Sequence, residues 1–200
     1  MRNLVWMALL SIVSACAGND GRPAAERPYV PSPEASLSPE ETVRQLLGAY
    51  LDKRLGEYYH LVATIDKEAK SLETLQREFA PGSSDLVTDY IFKFTNFRID
   101  STSVAGDSAF VYVTAETPEV GSVMREAIVV ERSLGSGSDL LTKMSLLNER
   151  LRLAGGPRVE NQSVHFLVRE PKGWRAVVGW AEEKAFEEQI RADSAQAGGT

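Results

Sequence analysis

Cysteine and histidine are scarce in this sequence of 200 residues, which contains one cysteine and two histidines. The single cysteine, Cys16, has no second thiol in the chain with which to form a disulfide. His60 and His165 are far apart in sequence and have no cysteine near either of them, so they supply no cluster of metal ligands. We therefore expect no disulfide framework, no metal site and no cofactor.

Long apolar runs are missing as well. The longest covers only about ten residues, at positions 4–13, whereas a helix that crosses a bilayer core needs about twenty. A short run of this kind that follows a cation, here Arg2, is typical of the apolar core of a signal peptide. We expect residues 1–15 to be a secretion signal.

Positive charge is in deficit. The chain carries 22 Lys and Arg against 28 Asp and Glu, a net charge of −6, and removal of residues 1–15 with Arg2 takes it to about −7. Nucleic acids and anionic lipid headgroups both require clustered cations. The composition therefore argues against nucleic acid and against anionic headgroups as partners.

The run Val13-Ser14-Ala15-Cys16 resembles the lipobox of bacterial lipoproteins, which has a branched apolar residue, two small residues and a cysteine. The resemblance implies that the Cys16 thiol carries a diacylglyceryl group and that a peptidase cuts after Ala15. The alternative is an ordinary secretory signal that leaves Cys16 as a free thiol, which would be a liability in an oxidising compartment. Ala17, in place of aspartate, implies the periplasmic face of the outer membrane if the host has two membranes.

The rest of the chain divides into three parts. Residues 16–37 contain the lipidated cysteine and a stretch rich in proline, glycine and alanine, which predicts a flexible tether. Residues 38–192 are long enough for one α+β domain with a single core. We expect 193–200 to be a disordered tail.

Helices are predicted first. Ser38-Pro39-Glu40-Glu41 has the pattern of a capped helix start. Apolar residues recur at helical spacing after it, Gly56 interrupts them, and further helices are predicted at 57–65 and 66–79, the second ended by Pro81-Gly82.

Two hairpins are predicted after the helices. Phe92, Phe94, Phe97 and Ile99 lead to a turn at 104–108, after which Phe110, Tyr112 and Thr114 alternate with smaller residues. The second hairpin joins 163–168 to 174–180 through Pro171-Lys172-Gly173. Between the two, 118–154 predicts a helical hairpin, although 118–133 is β-prone enough to be strand. A short helix is expected at 181–192.

The capped helix at Ser38, the Gly56-Glu57-Tyr58 segment and the late Gly173-Trp174-Arg175 turn resemble small exported domains of the nuclear transport factor 2-like superfamily. The resemblance implies N-terminal helices packed on a strongly bent antiparallel sheet, often with an apolar pocket at its wide end. The helical hairpin is an insertion relative to that pattern. Cystatin-like domains, which share the plan of a helix on a sheet, are the alternative.

Enzymes of this superfamily place an acid-base pair inside the cone, which makes the two histidines, Asp52, Asp66 and Asp89 the candidates. None stands in a recognisable catalytic motif. His165 alternates with Val164, Phe166 and Val168, so it faces solvent if those three residues are core. Nine aromatic residues are candidates for a pocket or, as we favour, for the core: Tyr50, Tyr58, Tyr59, Phe92, Phe94, Phe97, Tyr112, Trp174 and Trp180.

These observations lead us to expect a non-enzymatic, membrane-anchored domain of the cell envelope that binds a small apolar ligand or another envelope protein. A small-molecule enzyme with an acid-base pair inside the cone is one alternative. The other is a structural role in which the helical hairpin at 118–154 docks onto an assembly, which an exposed apolar stripe on that hairpin would favour.

Overall fold

A computed structural model describes residues 37–79, 85–135 and 137–197. The predicted signal peptide, Cys16 and residues 17–36 lie outside the described residues, as do Pro81-Gly82 and 198–200. Across the described ranges, none of the helices combines the length and the apolar composition that crossing a bilayer requires.

The described chain contains eight helices and four strands. Five helices come first: α1 (Pro39–Leu51), α2 (Leu55–Leu61), α3 (Thr64–Ala69), α4 (Leu72–Glu78) and α5 (Leu86–Phe94). They are followed by β1 (Asn96–Ala105), β2 (Ser108–Pro118), α6 (Val120–Leu134), α7 (Leu140–Leu153), β3 (Arg158–Glu170), β4 (Gly173–Val177) and α8 (Trp180–Ala197). The strands form one open antiparallel sheet in the order β1-β2-β3-β4. The predicted α+β class and antiparallel sheet are confirmed.

The first helix begins where its capping signal predicts. The Ser38 hydroxyl accepts a hydrogen bond from the Glu41 amide at 3.2 Å, and Pro39 occupies the first helical position. The apolar face of α1 is buried, with Val43, Leu46 and Leu47 almost inaccessible to solvent.

The next two helices were predicted with the wrong boundaries. In place of helices at 57–65 and 66–79, the chain forms α2, α3 and α4. The helix breaks at Val62 because this residue pairs in parallel with Ala176, and the Ala63 amide donates to the Ala176 carbonyl at 2.8 Å. The chain thus extends the β4 edge of the sheet for one residue before it becomes helical again.

Helix α5 was not predicted, and the assignment of Phe92 and Phe94 to a strand is wrong. Asp85 caps this helix by accepting from the Thr88 amide at 2.8 Å. Tyr90 and Ile91 lie on the buried side of this helix. The aromatic residues at 92, 94 and 97 have the spacing of a strand only because α5 ends at Phe94 and β1 begins at Asn96.

Both predicted hairpins form. Gly106 makes the β1–β2 turn with a φ of +61°, a left-handed conformation that glycine adopts without steric cost. The second hairpin joins β3 to β4 through Pro171 and Lys172, but its second strand ends at Val177, and the predicted extension to Trp180 is wrong because Trp180 begins a helix. Helix α8 follows and continues to Ala197, beyond the predicted end at 192.

The helical hairpin is also confirmed, and the open choice at 118–133 is resolved as helix from Val120 onwards. It is inserted between two strands that pair directly, from Ser108 opposite Val168 to Pro118 opposite Arg158. The sheet is therefore continuous beneath the insertion.

Two buried clusters hold the fold together. The main cluster joins side chains of α1, α2 and α4 to the sheet, through residues that include Leu46, Leu47, Val111, Leu167 and Trp174. The second cluster belongs to α5, α6 and α7, and its members include Ile91, Val123, Val130, Leu147 and Leu151. The insertion thus packs with α5 as a three-helix unit that has its own apolar interior.

The predicted orientation of β3 is wrong. His165 lies opposite Val111, which is fully buried, and residues opposite each other in a sheet point to the same face. His165 is accordingly only 7% exposed, while its neighbour Val164 is 53% exposed. Both faces of β3 carry apolar residues, so alternation alone does not identify the face that meets the core.

Candidate functional site

Asp66 is the most deeply buried of the candidate acids. Its carboxylate accepts hydrogen bonds from the Val178 amide at 2.7 Å and from the Ala181 amide at 2.9 Å. It therefore fixes the start of α8 to α3 across the end of the sheet. Both carboxylate oxygens are engaged in this contact, which is a structural role.

Asp52 and Asp89 also have partners of their own. Asp52 forms an ion pair with Arg54 at 3.2 Å on the surface. Asp89 accepts a bond from the Lys53 ammonium and so ties α5 to the end of α1. Lys53 is held with a φ of +56°, in the left-handed region, at that turn. The two carboxylates stabilise the connection between helices.

His165 is a buried, neutral histidine. Its Nε2 lies 3.3 Å from the Ser163 hydroxyl, on the same face of the same strand. Desolvation lowers the pKa of the imidazole to about 4. It lines neither of the two best-formed cavities among the described residues.

His60 is exposed on α2, at the rim of a cavity of about 140 Å³. Its pKa is lowered, first by desolvation and then by the cations of Arg175, Lys67 and Lys172. Glu57 also lines this cavity, but its carboxylate is bound by Arg54.

The predicted catalytic candidates are thus not brought together. In the described part of the chain, Asp66 binds the Val178 and Ala181 amides, Asp52 binds Arg54, Asp89 binds Lys53, and His165 contacts Ser163. Nor do three or more histidine, cysteine, aspartate or glutamate side chains of the described ranges converge on a position that a metal ion would occupy.

Most candidate pocket aromatics are part of the core. Tyr50, Tyr58 and Trp174 are buried in the main cluster, and the Tyr50 ring lies 5.2 Å from that of Tyr58. Tyr59 and Trp180 are half-buried and stack with centroids 6.2 Å apart. These five residues pack against one another and against the main cluster.

Tyr112 is different, because it lies on the opposite face of the sheet. It is 44% exposed and stands beside Phe110, which is 41% exposed, and opposite Val164. Phe110 and Phe166 pair across β2 and β3 with ring centroids 5.1 Å apart. We call Phe110, Tyr112, Val164 and Phe166 the outer sheet patch.

The neighbours of this patch on β1 are uncharged, whereas Arg175 of β4 lies on the same face, opposite Val168. Ser101 and Ser103 lie opposite Tyr112 and Phe110 on β1, and Gln162 follows on β3. Charged pairs begin only at the next row, where Arg98 contacts Asp100 and Glu160. Large aromatic groups with a hydroxyl-bearing rim form a surface suited to apolar contact with another macromolecule.

Our sequence prediction favoured a core position for Tyr112 and assigned Phe110 only to a strand, and so missed this surface. The signal was present, because β2 is apolar at every position from Ala109 to Val113 and β3 is nearly so from Val164 to Val168. When both faces of a strand are apolar and only one of them packs on the core, the other face is exposed to solvent unless another molecule covers it.

No protein-family model, curated protein or solved structure matches this chain. Its function is therefore argued from the surfaces and cavities described above.

Proposed function

We propose that this chain is a membrane-anchored lipoprotein of the bacterial envelope, and that its domain binds another envelope protein, without enzymatic activity, through the outer sheet patch. The exposure of Phe110, Tyr112 and Val164 on one sheet face, beside the half-buried Phe166, carries the proposal. Aromatic residues are enriched at protein interfaces, where a few of them supply most of the binding energy.

A protein partner fits the surface better than a small ligand. Pockets for small molecules usually enclose about 300 to 1,000 Å³. The two best-formed cavities in the described ranges measure about 130 and 140 Å³. The patch itself is a sheet face and offers contact area without enclosure.

A protein partner also fits better than a bilayer surface. Binding to anionic headgroups requires lysine or arginine beside the inserted apolar groups. The residues beside Phe110 and Tyr112 are serines and glutamine, and the nearest arginine on the β1 side, Arg98, is paired with Asp100 and Glu160. On the β4 side, Arg175 lies opposite Val168, but it is only 6% exposed and its guanidinium donates to the Trp174 and Lys172 carbonyls. We expect the partner to present apolar side chains with few charges.

The anchor and the family are parts of the same proposal. Val13-Ser14-Ala15-Cys16 supports lipidation, and the position after it supports the outer membrane in a host with two membranes. Helices that precede an antiparallel meander support a nuclear transport factor 2-like or cystatin-like plan with α6 and α7 inserted.

Photocrosslinking in cells tests the docking surface. A photoreactive phenylalanine analogue replaces Tyr112 in one variant and Leu141, which is 70% exposed on α7, in the control. We expect the analogue at position 112 to give one discrete crosslinked product, whose mass is that of this chain plus that of one other protein. Adding Phe110→Ser should abolish this product.

Three outcomes contradict the proposal: no adduct from position 112, an adduct that contains two copies of this chain, or an adduct from position 141 alone. The last would place docking on the inserted hairpin, where Met124 and Ile128 are also exposed. The anchor has a separate test, since Cys16→Ser should abolish labelling by a clickable fatty acid and release the protein from membranes.

A further inference from the structure

A second feature lies at the base of the inserted hairpin, away from the outer sheet patch. A cavity of about 130 Å³ opens where β2 passes into α6 and α7 returns to β3. Its walls come from α5, α7 and the start of β3, through Tyr90, Asn148, Arg152 and Arg158. Three separate elements thus bring polar groups to one small space.

Two of these groups are fixed by the protein itself. The Tyr90 hydroxyl donates to Asn148 Oδ1 at 3.0 Å, which leaves the Asn148 amide nitrogen as a donor. Arg158 is held by the Phe94 and Glu116 carbonyls and by the Glu116 carboxylate at 2.8 Å. Tyr90, Asn148 and Arg158 are therefore held in place before any ligand arrives.

Arg152 is the cation of this lining whose charge is not committed. Unlike Arg158, and unlike Arg150, which pairs with Glu126 at 2.6 Å, it forms no ion pair within the described part of the chain. Its guanidinium has five N–H donors in a planar fork that matches a carboxylate or phosphate group.

The one acid of the lining, Glu119, is already used. Its two carboxylate oxygens accept from the Gly121 amide at 2.8 Å and the Ser122 amide at 2.6 Å, and so cap α6. The Ser122 side chain, as the largest cause, and these two backbone hydrogen bonds lower the pKa of the Glu119 carboxyl, which is held at the helix start. The groups that remain for a ligand are donors.

We propose that this cavity binds a small oxyanion, a carboxylate or phosphate group, between the Arg152 guanidinium and the Asn148 amide. The cavity, of about 130 Å³ and open to solvent on one side, has room for such a group. The bound anion would join α7 to α5 and the sheet, at the point where the insertion leaves the domain.

Titration calorimetry of the full-length protein in detergent, with sodium phosphate or sodium acetate at constant ionic strength in chloride, tests the proposal. We expect saturable binding of at least one of the two anions. Arg152→Gln should weaken it by about tenfold or more, because a charge-assisted bidentate contact is lost. Asn148→Asp, which keeps the acceptor for Tyr90 and replaces the donor by a negative charge, should weaken it similarly.

Arg132→Gln, at an exposed position near the far end of α6, is the matched control and should leave the dissociation constant unchanged. Thermal melts without added anion establish that every variant is folded. Heats no different from those of chloride, or an unchanged dissociation constant in Arg152→Gln, would overturn the proposal. If Arg152→Gln abolishes binding, the tighter of the two anions identifies the ligand as carboxylate or phosphate.

Discussion

The buried imidazole of His165 makes a quantitative prediction about acid stability. Its pKa of about 4 in the folded protein lies well below the ordinary 6.5, because burial disfavours the charged form. The unfolded chain therefore binds a proton more readily than the folded one. The stabilising contribution is complete above pH 6.5 and is lost as the pH falls from 6.5 towards 4.

The magnitude follows from that pKa difference. At 1.36 kcal/mol for each pH unit, the full loss is about 3 kcal/mol, of which about 2 kcal/mol falls between pH 7 and pH 5. This loss is a substantial part of the total stability of a domain, which is usually about 5 to 15 kcal/mol.

Urea denaturation at pH 7 and at pH 5 measures this contribution. Replacement of His165 by glutamine, which keeps a polar group near Ser163 and cannot be protonated, should remove about 2 kcal/mol of the stability difference between the two pH values. His60→Gln is the control, since His60 is exposed, and it should change that difference much less. Carboxylates with lowered pKa values, such as Glu119 and Asp139, lose their stabilising effect only at lower pH. An unchanged pH dependence in His165→Gln would refute the reasoning.

Three further predictions concern stability, each measured by urea denaturation at pH 7. Leu147→Ala in the second cluster should cost about 3 kcal/mol, whereas Leu141→Ala on the same helix should change stability by less than about 0.5 kcal/mol; equal effects would contradict the assigned packing. Gly106→Ala should lower the free energy of unfolding by about 1 kcal/mol, because φ is +61° at this position although there is open space around it. Gly56→Ala on α2 is the control and should be neutral or stabilise the protein by up to about 0.5 kcal/mol. If both substitutions changed stability in the same direction, backbone strain would not be the cause. Asp66→Ala should lower the free energy of unfolding by about 3 kcal/mol, since two backbone amides lose their acceptor. It should also accelerate amide hydrogen exchange at the start of α8. Slow exchange there would show that another group replaces the carboxylate.

Local signals predicted the elements that depend on neighbouring residues. Ser38 and Pro39 fixed the start of α1, and Gly106 fixed the first hairpin, because caps and turns act within a few residues. The inserted hairpin was predicted from apolar spacing at 140–151, which matches the buried Met144, Leu147 and Leu151 of α7.

Long-range contacts explain what local signals missed. The break between the helices at Val62 depends on Ala176, which is more than a hundred residues away, and no residue near Val62 in the sequence predicts it. The inward orientation of His165 depends on its register with Val111 in another strand. Periodicity gives two faces to a strand, but the tertiary structure decides which of them is covered.

The candidate surfaces, too, depended partly on local residues and partly on long-range contacts. The residues of the outer sheet patch were visible in the sequence as large apolar groups, but their exposure depends on which side the helices occupy. The oxyanion cavity was not predicted, since Tyr90 on α5 is separated from Asn148 and Arg158 by the first hairpin and by α6. Arg152 has no distinctive sequence context of its own.

The pairing of Val62 with Ala176 also bears on the order in which the chain folds. The main cluster includes Trp174 and Ala176 of β4, so this part of the cover of α1 and α2 is added only after residue 176 has been synthesised, although α1 already has α2, β1 and β2 as neighbours. Contacts between residues so far apart in sequence form slowly, because a long loop must close first. The N-terminal helices therefore lack part of their apolar cover until β4 emerges. Removal of the last two strands should accordingly leave the N-terminal helices without a stable fold.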